Sequence, residues 1–370
     1  MKILSIETSC DDTGISLVEI TEDKKRRQKI KILKELVSSQ VKIHAPFGGV
    51  VPSLAKREHQ KNLPVLLGRI LNNESRRKGK KFILHNSNSI IQSIDLIAVT
   101  VGPGLEPALW TGIEFAKDLA KKWGKPLVGV NHLHGHMYSF LLAQKAINQN
   151  GKSKSKNIQT SSFKLQDTFP AIVLLVSGGH TILAVMKNLN EYKKLGETVD
   201  DAVGESFDKV ARLLDLPYPG GPEVEKFAKK GDSRAIAFPS PMIHQKNYNF
   251  SYSGLKTAVL YYVRDHREST KEDIAASFQN AAFVPLVSKT MRAVEEYGAK
   301  AIIVGGGVAA NKELSRLLRS KIKNLKLKIN LIVPPFRYCM DNATMIALAG
   351  YMRAVQNKKY PLKANGVLDI

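Results

Sequence analysis

The feature that most restricts this chain is that it states one structural plan twice. Residues 2–20 read as strand, turn, strand: KILSI, then ETSCDDTG, then ISLVEI. Residues 171–186 repeat the pattern with AIVLLV, SGGHT and ILAVM. In both, apolar runs rich in Ile, Leu and Val flank a small polar turn, as in a buried hairpin. A second pair follows. DLIAVTVGPGLEPALWTGIEFAKDLAKKWG (95–124) is a buried strand, a Gly/Pro loop and a helix carrying Leu109, Ile113, Ala116, Ala120 and Trp123 on one face. AIIVGGGVAANKELSRLLRSKI (301–322) is again strand, glycine loop, helix. A chain that opens each half with a hairpin and closes it with strand–loop–helix is expected to form two α/β lobes, each a mixed sheet covered by helices. The length of 370 residues suits two domains. The Ser/Lys/Asn-rich stretch 145–168 suits a flexible polar insertion, and the lobes are expected to meet near it.

Composition excludes several classes. No run of about 18 uninterrupted apolar residues exists, so a membrane span is not expected. The start, MKILSIETSCDDTG, turns acidic within its first residues and has no h-region, so a signal peptide is not expected. Cys10 and Cys339 are the only cysteines, too few for a disulfide framework or a thiolate metal cage. A cytoplasmic protein is the expectation. The net charge of +23 attracts polyanions, with RNA or DNA the natural candidates. Much of the excess sits in 22–35, 74–81 and 152–166, which read as loops or solvated edges.

Four glycine-bearing turns point toward a phosphate-bearing ligand, because small residues let backbone N–H groups approach phosphate oxygens. They are DDTG (11–14), SGGH (177–180), YPGGPEVE (218–225) and GGGVAAN (305–311). The last precedes a helix, whose N-terminus favours an anion or a hydrogen-bonded adenosine edge. Singly, each is ordinary turn chemistry. Four of them, two in matching positions of a duplicated plan, suggest a nucleotide clamped between two lobes. No GxxxxGK[ST] is present, so a P-loop enzyme is excluded.

NHLHGHMYSF (131–140) places three of the nine histidines within five positions. On a helix His132 and His136 share a face, whereas His134 points roughly 200° away. A surface helix with incidental histidines has the same spacing. Two imidazoles are too few for a stable metal site, so a third ligand must come from distant sequence. Asp341, at the start of an apolar helix, is one candidate, although Asp there also suits a plain N-cap. His180, in the second hairpin turn, is its rival. Two histidines and a carboxylate leave positions open for substrate.

Taken in order, ETSCDDTG, GGVVPSLAKREH (48–59), GPGL (102–105), HLHGH, LVSGGHT (175–181), DDAVGESFDKVARLL (200–214), YPGGP, FSYSGLKTA (250–258), GGGVAAN and DNATMIALAG resemble the TsaD family. These are the tRNA threonylcarbamoyladenosine synthases. The likeness covers nearly the whole chain outside 22–35, 74–92 and 145–168. It implies a duplicated two-lobe actin/sugar kinase/Hsp70-like (ASKHA) α/β fold with the active site in the interlobe cleft. Its lobe boundaries would be 1–131 with 341–370, and 132–340. The implied activity is transfer of a threonylcarbamoyl group from threonylcarbamoyl-AMP to the N6 amine of adenosine 37 in tRNAs reading ANN codons.

Residue by residue, the resemblance implies a metal held by His132, His136 and Asp341. It implies a substrate loop at Leu175, Val176, Ser177, Gly178 and Gly179. Asp208 and Gly221 would contact the nucleotide, Asn311 the adenosine, and Glu225 would be an additional ribose ligand. No side-chain nucleophile is required. One divalent ion per subunit is implied, Fe2+ before Zn2+, since imidazole and carboxylate suit both. Implied partners are tRNA, a TsaB-like paralogue and a TsaE-like ATPase, with no membrane. Two positions depart from the family pattern. His134 stands where many members carry Glu, and GPGLEPAL replaces a smaller GPGLxGAL.

Three rivals compete with this reading. A phosphotransferase of the same superfold would have no need of HxxxH. A metalloprotease fails because HExxH needs Glu beside the first histidine, and here that residue is Leu133. A non-enzymatic scaffold would lack the metal pair, which this chain keeps.

Overall fold

The computed structural model describes residues 1–22, 28–71, 73–77, 80–84, 87–143, 167–358 and 360–370. The expected insertion at 145–168 therefore lies outside the described residues except for its last two.

The first half forms β1 (Lys2–Glu7), β2 (Asp12–Glu22) and β3 (Gln28–Ser39), then helices α1 (Val41–His44) and α2 (Pro52–Leu71). A small separate hairpin, β4 (Asn73–Arg77) and β5 (Lys80–Leu84), and α3 (Ser87–Gln92) precede β6 (Leu96–Gly102), α4 (Glu106–Trp123) and β7 (Leu127–Asn131). Its sheet has the order β3-β2-β1-β6-β7. The pairs β2/β3 and β1/β2 are antiparallel, and β1/β6 and β6/β7 are parallel. The basic run 22–35 thus falls, from Gln28 on, in an edge strand.

After α5 (His132–Tyr138) the second half repeats the scheme with β8 (Ala171–Val176), β9 (Thr181–Asn188) and β10 (Glu191–Glu197). Helices α6 (Val203–Leu213), α7 (Gly220–Ala228), α8 (Ser253–Asp265) and α9 (Lys271–Glu296) lead to β11 (Ala301–Gly305). Then come α10 (Lys312–Asn324), β12 (Asn330–Ile332), α11 (Phe336–Cys339) and α12 (Ala343–Val355). The order β10-β9-β8-β11-β12 and its strand directions match the first sheet position for position. The repetition visible in the sequence is therefore a repetition of topology.

Strand alternation sorts side chains into three cores. Leu4 and Ile6 face α2 and α4, while Ile3 faces the space between the sheets. Ala171, Val173 and Leu175 face that same space, while Ile172, Leu174 and Val176 face α6–α10. The middle layer between the sheets is filled by α5 and α12. Both are buried along nearly their whole length, as a helix apolar on all sides must be.

Docking of α12 against the first sheet is specific. Ser5 Oγ donates to Ala343 O at 2.6 Å, and the Ser16 and Thr344 hydroxyls pair at 2.9 Å. A Cβ on Gly14 would stand 3.1 Å from Ala343 N. This corrects the expectation for DDTG: Asp12–Gly14 belong to β2, with Gly14 opposite Glu7, and the turn is Thr8–Asp11. Gly14 serves the close approach of a helix rather than of a phosphate. The Glu-Pro of GPGLEPAL opens α4, where proline tolerates the first turn and an acid favours the helix dipole.

Candidate metal centre

The HLHGH segment forms α5 because Asn131 caps it: Asn131 Oδ1 accepts from Leu133 N at 2.7 Å and from His134 N at 3.4 Å. Asn131 Nδ2 donates to Asp369 O at 2.8 Å, tying the cap to the chain's last residues. The helical spacing then puts His132 and His136 on one face, their rings 4.7 Å apart and edge to face. Gly135 between them lets the helix lie against α12, since a Cβ there would stand 2.9 Å from Met345 Cγ and 3.1 Å from Ile346 Cδ1.

That contact brings in the third candidate ligand. Asp341 immediately precedes α12, and Asp341 Oδ1 lies 3.1 Å from His136 Nε2 and 3.5 Å from His132 Nε2. The helix cap is not Asp341 but Asn342, whose Oδ1 accepts from Met345 N at 2.9 Å. The plain capping role is thus filled by the neighbour, and the Asp341 carboxylate, 26% exposed, meets the two imidazoles. Donor atoms of His132, His136 and Asp341 all lie within 4.8 Å of one another, a triad able to hold a metal ion. His180 is not part of that group. Its imidazole is near enough to matter, because burial and then the charges of His132 and His136 push its pKa down to about 4.

The far side of His132 is also built. His132 Nδ1 lies 3.0 Å from Ser9 Oγ and 3.3 Å from Glu7 Oε2. Glu7 is fully buried and accepts from Ser9 N and Thr100 Oγ1, each at 2.6 Å. Burial works to lower the pKa of His132, but the charges of Asp341 and Glu7 raise it to about 9. Burial likewise opposes ionisation of Asp341, yet the charge of His132 and the hydrogen bond from His136 hold it well below the usual carboxylate range. At His136 burial prevails and the pKa falls. Two carboxylates around two imidazoles call for a positive charge at this point. Two borderline nitrogen donors, one oxygen donor and an outer carboxylate fit a divalent transition ion.

His134 belongs elsewhere, as the helical period implies. Its Nε2 faces Tyr192 Oη at 2.6 Å, and its ring meets Tyr192 edge-on and Tyr138 and Tyr360 at a tilt. Burial, with the cations of Arg353 and Lys358, lowers its pKa to about 3, so it stays neutral.

The expected substrate residues fall into two groups. Leu175 and Val176 are buried strand residues whose side chains lie in two different cores, so only their main chain can face a ligand. Ser177–Gly179 form a tight turn, closed by Ser177 N to His180 O at 2.8 Å, with open space beside Gly178 and Gly179. This turn adjoins α6, because Gly204 N donates to Ser177 O at 3.2 Å. It also adjoins α5 by way of the strand ends. A Cβ on Gly305 would stand 2.7 Å from His136 O, and one on Gly306 would stand 2.4 Å from Val176 O.

The second group forms a connected wall. Asp208 Oδ1 accepts from Gly220 N at 2.8 Å, capping α7 beside the open Gly221. Glu225 accepts from Lys312 N at 3.4 Å, next to Asn311. Asn311 caps α10 through Glu313 N at 2.8 Å and donates to Gln279 Oε1 at 2.9 Å. This wall faces the first lobe: burial, then the charges of Asp11 and Asp208, raise the pKa of Tyr218. Arg212 Nη2 crosses to Gly48 O at 2.7 Å. Sequence reasoning missed Glu7, Thr100, Gly135 and Asn342. An acid ending the apolar strand KILSIE was the one available signal.

Comparisons with known proteins agree with this layout. The family model described as "TsaD: tRNA N6-adenosine threonylcarbamoyltransferase" matches residues 31–150 and 155–348. A protein named tRNA N6-adenosine threonylcarbamoyltransferase from Thermosipho africanus is 45% identical, over 95% of this chain and 94% of its own. One of the same name from Thermotoga neapolitana is 40% identical, over 99% and 98%. Among solved structures, HypF of T. kodakarensis aligns with a TM-score of 0.54 at 14% identity, over 96% of this chain and 48% of that one. That likeness shows the fold alone, the expected two-lobe ASKHA-type architecture. With the family model spanning both lobes and relatives at this identity matching end to end, the chain belongs to the tRNA N6-adenosine threonylcarbamoyltransferase family.

Proposed function

We propose that this protein transfers a threonylcarbamoyl group from threonylcarbamoyl-AMP to the N6 amine of adenosine 37 in tRNAs reading ANN codons. A divalent ion, Fe2+ before Zn2+, would be held by His132, His136 and Asp341. The observation that carries the reading is the convergence of these three side chains within 4.8 Å, in a chain of this family. The Ser177–Gly179 turn, whose glycines face open space, joins α6 beside it.

When bound, the ion supplies Lewis acidity to the carbonyl under attack. The protein's residues do the rest. Ser9 and Glu7 hold His132 Nδ1, so that Nε2 turns toward Asp341. Backbone N–H groups of Gly178 and Gly179 hold phosphate oxygens of the adenylate, Ser177 N closes their turn onto His180 O, and Leu175 and Val176 fix that turn through their buried strand. Asp208, Gly221, Glu225 and Asn311 line the wall that takes ribose and adenine. The N6 amine is a poor nucleophile because its lone pair is delocalised into the ring. As it attacks the carbamoyl carbon, the N–C bond forms, the C–O bond to phosphate breaks, AMP leaves with the electron pair, and the amine's surplus proton passes to water. Positioning and charge stabilisation carry the rate.

The +23 charge supports tRNA as the acceptor. Among the described residues no helix is long and apolar enough to cross a membrane. The proposal extends to a cytoplasmic setting with a TsaB-like paralogue and a TsaE-like ATPase as partners. It also divides the lobes as 1–131 with 341–370, and 132–340, supported by the packing of α12 on the first sheet. Mass spectrometry of anticodon-loop nucleosides, after incubation with unmodified tRNA, donor and partners, tests it. Threonylcarbamoyladenosine is expected; unmodified adenosine throughout would refute the reading.

A further inference from the structure

We propose that Glu7 is a positioning residue of the metal centre, acting through His132 from the side opposite Asp341. The inference rests on the metal reading above. Glu7 ends β1, the central strand of the first sheet, and is 0% exposed. Its Oε1 accepts from Ser9 N at 2.6 Å, and its Oε2 accepts from Thr100 Oγ1 at 2.6 Å. Among the described residues its only ion-pair partner is His132, with Nδ1 3.3 Å from Oε2. A buried carboxylate served only by neutral amide and hydroxyl donors is costly unless a cationic or polarised group stands beside it.

His132 stands between two carboxylates, Glu7 at Nδ1 and Asp341 at Nε2, 3.5 Å away. Once an ion occupies the Asp341 side, the ring proton has one remaining place, Nδ1, from which it donates to Glu7. That bond fixes the tautomer, prevents a ring flip and raises the donor strength of Nε2. Ser9 N and Thr100 Oγ1 in turn fix the carboxylate, so one turn and two strands converge on the orientation of one imidazole. Ser9 Oγ, 3.0 Å from Nδ1, is a weaker second acceptor for the same proton.

The test is titration of the full-length metal-free protein with Co2+ against a competing chelator, following the visible bands of the bound ion. Glu7→Gln keeps the size and removes the charge. It is expected to weaken Co2+ binding by about 10–100-fold and to shift the bands, while the metal-free circular-dichroism spectrum stays that of the wild type. A Glu7→Gln variant with wild-type affinity and bands would show that Glu7 only holds the Thr8–Asp11 turn, and would overturn the inference alone. A wild type that takes up no Co2+ would overturn the metal reading and this inference with it. Should Glu7→Gln not fold, Thr100→Val frees Oε2 and Ser9→Ala removes the second acceptor. Both are expected to weaken Co2+ binding measurably against the wild type, and unchanged affinity in both would overturn the proposal.

Discussion

Asp341 Oδ1 and His136 Nε2 lie 3.1 Å apart although 205 residues separate them. The two meet because α12 crosses back onto the first sheet and lies against α5. Every feature of the site that depends on this crossing is open to test.

His132 and Asp341 on one side, and His134 on the other, should give opposite phenotypes. His132→Ala or Asp341→Ala removes a proposed ligand, and loss of the proposed Lewis-acid stabilisation, worth several kcal/mol, is expected to lower transfer by roughly 100-fold or more. Bound metal, read by elemental analysis, should fall with it while the fold persists. His134→Phe leaves Tyr192 Oη without its partner and is expected to cost about 1–3 kcal/mol of stability. Its metal content should be that of the wild type. Equal metal loss in all three variants would contradict the assignment of His134.

Gly135 is expected to tolerate no branched side chain. A Cβ there meets Met345 and Ile346 at 2.9 and 3.1 Å, so Gly135→Val must push α5 from α12. Overpacking of this kind costs about 1–3 kcal/mol, measured by denaturant unfolding. Because Asp341 lies just ahead of the Asn342 cap of α12, metal affinity should fall in parallel. A variant destabilised but binding metal normally would show that the two helices do not set the ligand distance.

Metal uptake should depend on pH through His132, whose pKa in the metal-free protein is raised to about 9 by Asp341 and Glu7 against the effect of burial. The proton must leave before the nitrogen binds. Apparent affinity is therefore expected to climb by about tenfold per pH unit from near pH 6.5 to 9, then level off. In the metal-free protein the sign is opposite. The folded pKa lies above the unfolded value near 6.5, so this stabilisation is complete below that pH and is lost as pH rises through about 9. Chelator competition and urea unfolding across that range measure both, and a flat affinity profile would exclude the linkage.

Asn311 is engaged twice within the protein, as the cap of α10 and as donor to Gln279. Asn311→Ala is expected to cost about 1–2 kcal/mol in stability from the lost cap. If the residue also faces adenosine, AMP binding measured calorimetrically should weaken too. Normal AMP affinity in the destabilised variant would leave Asn311 a cap and nothing more.

Local rules alone settled a good deal. The apolar runs and glycine loops repeat in order, so two α/β lobes follow from periodicity, and the sheets do share one strand order. The 3.6-residue period separates His134 from His132 and His136 because a helix face is a local property. Hydrogen-bond partners across hundreds of residues are not. Whether Asp341 or His180 completes the triad, that Asn342 rather than Asp341 caps α12, and that Gly14 admits a helix instead of a phosphate all depend on where α12 comes to rest. Burial of Glu7 behind His132 depends on the same packing, since an acid in KILSIE looks alike whether it meets water or an imidazole. Chain geometry sets which side chains share a face; only the filling of the layer between the sheets decides which faces meet.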